Sequence, residues 1–375
     1  MELSFSLPLA GESINSDEYS PDDAESAVRL RRRCESALSA GADMIFAPTK
    51  NITHKRLDEQ SRDEQFPRLC REAVGLTAKA AGEKASVGGL IAPSGILHYT
   101  SGIFEGLYFD YLEKITVLRD AGADFILLSD AGTLGEMRAA VFAANAADIP
   151  IFITMTVDEE GVNRAGTDYI ASLITLQSLG AAGFGISCSE GNDETAELIA
   201  EAFPHAELPL IAIGDFTEEE MTLLSENGAD IFILSRGTLT REKAELIKSL
   251  PAHFEPEKEK DSFAAAVDCE AFFLPDDLVM SEPIECTVGL EEDIIDLDDE
   301  AVNSVFIELH SADDASLLAD NANITRLPVT VHANDSTTLE AALRYFQGRL
   351  IVDTRCDIDK GELEMLASRY GAILY

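Results

Sequence analysis

Basic residues are scarce in this chain: 28 lysines and arginines stand against 69 aspartates and glutamates, giving a net charge of −41 over 375 residues. Such a field repels phosphate backbones and anionic membrane faces at long range, so neither nucleic acid nor a membrane surface is expected as a partner. Paired cysteines are absent too. Cys34, Cys70, Cys188, Cys269, Cys286 and Cys356 are scattered without a C-x-x-C pair, and the opening MELSFSLPLAGES has neither the basic n-region nor the long apolar run of a signal peptide. A reduced, cytoplasmic setting is the expectation. No apolar run reaches the roughly 18 residues of a membrane span. There is no P-loop, G-x-G-x-x-G, G-x-S-x-G or H-E-x-x-H, and the six histidines share no metal-type spacing.

What is present is regular alternation. With 46% hydrophobic residues the chain can bury a large core. Short apolar, β-branched or aromatic runs recur at 3–9, 43–48, 86–93, 124–130, 150–157, 183–189, 209–215 and 230–236. Each reads as a strand buried on both faces. Between them lie segments such as LYFDYLEKITVLRDAG, with apolar residues at three- and four-residue spacing, and the helix-stop cassette recurs as SAGAD, DAGAD, SLGAAG and ENGAD. Eight β/α units in about 250 residues predict a closed (β/α)8 TIM barrel over 1–252, with an open doubly wound sheet as the alternative.

Beyond Pro251 the texture changes. Residues 253–282 begin with the charged HFEPEKEKDS and read as a linker. Residues 251–375 carry 28 acids against 8 bases, with GLEEDIIDLDDE the densest run and a solvated face the expectation for it. Strand-like runs resume at IECTVG, SVFIELHS, LPVTVHAN, GRLIVDT and GAILY, with helical segments around 312–320, 336–346 and 359–369. That predicts a smaller, incomplete β/α domain over 283–375, an open sheet of four to six strands. Its last strand needs a cover, either the first barrel, a second copy in a homodimer, or further chain.

Chemistry in such barrels sits at the C-terminal strand tips, so those are the candidate sites. They include Ala47-Pro48-Thr49-Lys50-Asn51, Ser129-Asp130, Thr156-Val157-Asp158, Ser187-Cys188-Ser189-Glu190-Gly191, Gly214-Asp215 and Ser235-Arg236-Gly237-Thr238.

These tips carry a resemblance. GADMIFAPTKNITHKRL, VGGLIAPSG, LRDAGADFILLSDAGTLGEMRAAVFAA, GFGISCSEG and NGADIFILSRGTLTREKAELIKSL resemble successive units of the homocysteine S-methyltransferase family. Residues from LPVTVHAN to GAILY are similar to the first half of the pterin-binding barrel that follows in cobalamin-dependent methionine synthase. The resemblance implies methionine biosynthesis and one-carbon metabolism, with zinc, cobalamin and methyltetrahydrofolate as family cofactors. In that family three thiolates hold Zn²⁺ and a fourth position takes the homocysteine sulfur. Here one ligand position carries over, Cys188, while Ser235 and Arg236 stand in the Cys-Cys places. A neutral hydroxyl is a poor zinc ligand and a guanidinium repels the ion.

Other tips depart as well. The glycine-rich turn expected after the first strand is missing from LPLAGES, the strand-two Asn is Pro48, and the Asn before the cysteine is Ser187. The acid for a substrate ammonium is Ser129, or Asp130 with a one-residue shift. In the second module Asp353 replaces an Asn. The expectation is therefore a methionine synthase-like barrel that binds a small amino-acid or anionic ligand through Thr49, Asp130, Ser187, Cys188, Ser235 and Arg236, with no bound cofactor and no zinc-thiolate methyl transfer. The alternative is a non-catalytic binding or regulatory module, with a corrinoid protein as a candidate partner.

Overall fold

A computed structural model describes the chain except residues 1–7, 14–23, 54–56, 58–62, 189–190, 236–238, 256–262, 288–289, 296–301 and 322–323. Eight parallel strands form a closed barrel in chain order: β1 (Leu9–Ser13), β2 (Met44–Ala47), β3 (Ser86–Ile91), β4 (Phe125–Leu128), β5 (Ile151–Met155), β6 (Gly183–Ser187), β7 (Leu210–Gly214) and β8 (Ala229–Leu234). Closure is direct, since β1 pairs with both β2 and β8, and this removes the open-sheet alternative. The fold is the expected TIM barrel. Its helices are α1 (Ala24–Ala40), α2 (Phe66–Ala81), α3 (Phe104–Asp120), α4 (Leu134–Ala146), α5 (Tyr169–Ser178), α6 (Asp193–Ala202), α7 (Glu218–Glu226) and α8 (Arg241–Ser249).

Of the apolar run 3–9 expected as the first strand, residues 3–7 lie outside the described residues, and the strand that pairs spans Leu9–Ser13. Packing explains it. Leu9 joins Met44, Phe46, Leu90, Phe125, Leu127, Phe152, Ile211, Ile231 and Ile233 in the barrel interior. Phe46 and Phe125 meet edge to face at 5.3 Å, and Phe125 and Phe152 lie 5.2 Å apart, so three phenyl rings plug the barrel. Small residues must face them: a Cβ on Gly11 would sit 3.3 Å from Phe46, and one on Gly88 only 2.6 Å from it. Glycine in β1 is thus a space requirement of the aromatic plug.

Beyond the barrel, a five-stranded parallel sheet runs in the order β11 (Ile284–Glu285), β12 (Val305–Leu309), β13 (Val329–Ala333), β15 (Ile351–Val352), β16 (Ile373–Leu374). Helices α9 (Leu290–Ile295), α10 (Ala312–Asp320), α11 (Ser336–Tyr345) and α12 (Lys360–Tyr370) accompany it. Within 253–282, the stretch read as linker, an antiparallel hairpin forms from β9 (Ala264–Val267) and β10 (Glu270–Phe273), and β9 also pairs with β14 (Gly348–Arg349). Ala264 and Ala266 pack on Ala171 and Ile174 of α5, so burial against a helix, which no local periodicity announces, turns this segment into structure. In the acidic run, Leu290 and Ile294 are buried while Glu291 and Glu292 face solvent.

Helix α4 explains how the two units join. Every residue from Leu134 to Ala144 is buried, which requires cover on both sides of the helix. The barrel covers one side and α11 the other. Arg138, 1% exposed, donates from its guanidinium to the carbonyl oxygens of Leu343, Arg344 and Phe346. Around it, the Tyr99 hydroxyl donates to the Tyr345 carbonyl at 2.9 Å, and Arg344 pairs with Glu105 at 2.6 Å. No helix of the described residues is long and apolar enough to cross a membrane.

Candidate functional site

The barrel mouth is floored by the aromatic plug and lined above it by short polar side chains. Thr154 and Ser187 project from adjacent strands with their hydroxyl oxygens 2.8 Å apart. Next to them stands Asp130, just past the tip of β4. Its backbone is left-handed, φ 60°, a conformation that a non-glycine residue adopts at a cost of about 1 kcal/mol. Asp148 is the other non-glycine residue so placed among those described, in the turn that ends α4, where the left-handed region is a common helix stop. Asp130 follows a strand, and there the conformation aims a carboxylate across the mouth.

Four side chains hold that carboxylate. Oδ2 accepts from Lys50 Nζ at 2.6 Å and from the Ser129 hydroxyl at 3.3 Å, and Oδ1 accepts from the Thr156 hydroxyl at 3.1 Å. Partial burial pushes the Asp130 carboxyl up, but hydrogen bonds from Lys50, Thr156 and Ser187 together with the lysine charge outweigh it and hold the group below the ordinary carboxylate range. The loop that presents it is fixed from behind. Glu136, fully buried at the start of α4, accepts from the backbone N–H of Ser94 at 2.5 Å and of Gly132 at 3.2 Å and from the Tyr111 hydroxyl at 2.6 Å.

The sequence-expected residues divide. Asp130 and Ser187 come together, with Lys50, Thr154 and Thr156 as companions that the residue-by-residue reading left out of the site. Lys50 and Thr156 do lie in the quoted strand tips, which was the available signal. Thr49 is buried and its hydroxyl bridges to β3, donating to the Leu90 carbonyl at 2.7 Å and accepting from the Leu90 N–H at 2.9 Å. Its hydrogen-bonding capacity is committed to joining strands. Cys188 is half-buried and packs against the hydrophobic layer between barrel and helices, close enough to the buried Tyr169 phenol to help raise it, after burial itself. Ser235 continues the inward side of β8 and its N–H donates to the Gly214 carbonyl at 2.9 Å. Arg236 lies outside the described residues.

Metal-type side chains converge elsewhere. Among the described residues, the one group of three or more with ligand atoms within 4.8 Å of one another is Glu285, Glu308 and His310, on the second sheet. A cavity of about 790 Å³ opens beside it, lined in part by Phe306, Glu308, His332, Asp353, Arg355 and Tyr375. Both oxygens of Asp353 are engaged there, Oδ1 by Arg355 Nε at 2.8 Å and Oδ2 by His332 Nδ1 at 2.9 Å. Burial pushes this carboxyl up, yet Arg355 and His332 hold it below the usual range.

Residues 13–247 match the family model described as homocysteine S-methyltransferase. Two curated relatives are methionine synthases. That of Mycobacterium leprae (strain TN) is 29% identical over 184 residues, 46% of this chain and 15% of that protein. That of Mycobacterium tuberculosis is 25% identical over 207 residues, 52% of this chain and 17% of that protein. The matched stretch thus covers less than a fifth of the length of either relative. The crystal structure of the homocysteine methyltransferase MmuM from Escherichia coli, in its metallated form, superposes with a TM-score of 0.54 at 17% identity, covering 64% of this chain and 95% of that one. At that identity the likeness concerns the fold.

Proposed function

The chain belongs to the homocysteine S-methyltransferase family, and from that premise we propose that its barrel mouth binds a small amino acid or carboxylate without the family's zinc-thiolate methyl transfer. The observation that carries the first part is the convergence of Lys50, Asp130, Thr156 and Ser187 at one mouth, an arrangement of opposite charges and hydroxyls above an apolar floor. Such a site recognises a small polar ligand by charge and hydrogen bonds and leaves its side chain to the phenyl layer.

The second part rests on donor chemistry. A three-thiolate zinc centre needs three soft anionic donors, and the matching positions hold Cys188, Ser235 and Arg236. One thiol remains, packed toward the outer hydrophobic layer, and a neutral hydroxyl replaces the second. These residues do not fit a zinc ion of that kind. The observation also favours a second reading, a non-catalytic binding or regulatory module of one-carbon metabolism, which the same ligand site would serve.

Elemental analysis and ligand-induced thermal stabilisation test the two parts separately. Dialysed protein is expected to hold well under one zinc per chain and to melt higher with α-amino acids or carboxylates. Stoichiometric zinc would refute the second part, and a melting temperature indifferent to every such ligand would refute the first.

A further inference from the structure

The cation partner of Asp130 comes from the protein itself. Lys50, just past β2, reaches across β3 to place its ammonium 2.6 Å from Asp130 Oδ2, although the two residues are 80 positions apart in sequence. The carboxylate it meets is otherwise prepared for a cation: it is aimed by a left-handed backbone, kept ionised, and given hydroxyl donors that leave room for one charged partner. Lys50 fills that place.

The pair is also exchangeable. The side chains of Lys50 and Asp130 are 34% and 41% exposed, so the ion pair is wetted and its net strength is modest. Replacing one ammonium by another at the same carboxylate is close to neutral in free energy, because the same charge-assisted hydrogen bond is broken and remade. The displaced lysine then carries an uncompensated charge at the edge of the mouth. A ligand that brings only an amine leaves it so, whereas a ligand that also brings a carboxylate can re-pair it within reach of the same flexible stem.

We infer that Lys50 is a resident occupant of the cation subsite of this mouth and so a specificity-determining residue: a ligand amine must exchange with it, and the exchange favours a zwitterionic α-amino acid over a plain amine. The inference rests on the reading of the mouth as a small-ligand site and names the ligand class. It assigns Lys50 two successive partners, Asp130 in the free protein and the ligand carboxylate in the complex.

Isothermal titration calorimetry on the full chain tests it, with L-homocysteine, the amine left by removing its carboxyl group, and the acid left by removing its amino group. Wild type is expected to bind the amino acid about tenfold tighter than the amine, equivalent to ~1.4 kcal/mol. Lys50→Met should tighten the amine about tenfold and weaken the acid by a similar factor, while Lys50→Arg, which keeps the charge, should retain the wild-type order. Melting curves confirm that each variant is folded. Amino-acid binding to wild type with amine affinity unchanged in Lys50→Met overturns the inference and leaves the ligand reading standing. Amine binding that emerges only in Lys50→Met supports the inference where wild type binds the amino acid, and overturns it together with the ligand reading where wild type binds nothing. No binding of any compound to either protein refutes both.

Discussion

Replacing Arg138 by methionine should loosen the second unit from the barrel. The guanidinium is buried between α4 and the C-terminal end of α11, where it donates to the carbonyls of Leu343, Arg344 and Phe346, and burial draws it down to about 10, still protonated at neutral pH. A cation at a helix C-terminus is favoured by the helix dipole and satisfies carbonyls that the helix leaves over. Each charge-assisted hydrogen bond contributes about 1.5–3 kcal/mol, and burying the guanidinium costs several kcal/mol in return. That cost is sharpened by Nε, which finds no hydrogen-bond partner among the described residues. Methionine fills similar volume but removes the guanidinium donor from three carbonyls, so a net loss of about 3–5 kcal/mol is expected. Urea unfolding followed by circular dichroism would show a lower midpoint, and amide exchange over 336–347 should accelerate before the barrel opens. An unchanged midpoint together with unchanged exchange in that segment would show that the carbonyls are satisfied without Arg138.

Two further outcomes follow from the titration and from the second sheet. Glu12, 4% exposed on β1, has its carboxyl pushed up to about 7 by burial, with Arg33 pulling it partly back. The folded state therefore binds the extra proton between about pH 4.5 and 7, so the stability associated with this group is present below that window and is lost as pH rises through it, by about 2–3 kcal/mol. Glu12→Gln should flatten the urea midpoint across the window and raise it at pH 8; a parallel decline in wild type and variant would assign the pH dependence to other groups. Folate binding should be absent or very weak, because the second sheet is open and Asp353 already spends both oxygens on Arg355 and His332. Calorimetry giving micromolar affinity for a folate would contradict this.

The scaffold was legible in the chain alone. Strands buried on both faces read as continuous apolar runs, and a glycine after four of the helices marks the next strand, so eight β/α units can be counted in the chain. The resemblance likewise sets Ser235 and Arg236 where the family keeps two cysteines. Tertiary structure decided what local pattern cannot carry. Gly11 in β1 leaves room for Phe46, and Ala264–Val267 forms a strand packed on the apolar face of α5. Thr49, a plausible ligand contact by position, was drawn inward to bridge to β3. Lys50 and Asp130 met across 80 residues, and Arg138 found the carbonyls of α11 more than 200 residues away. In each case the deciding interaction is short-ranged in space and long-ranged in sequence: closing the barrel sets which strand tips face one another, and a charge or a hydrogen bond acts only on what closure has brought within a few ångströms.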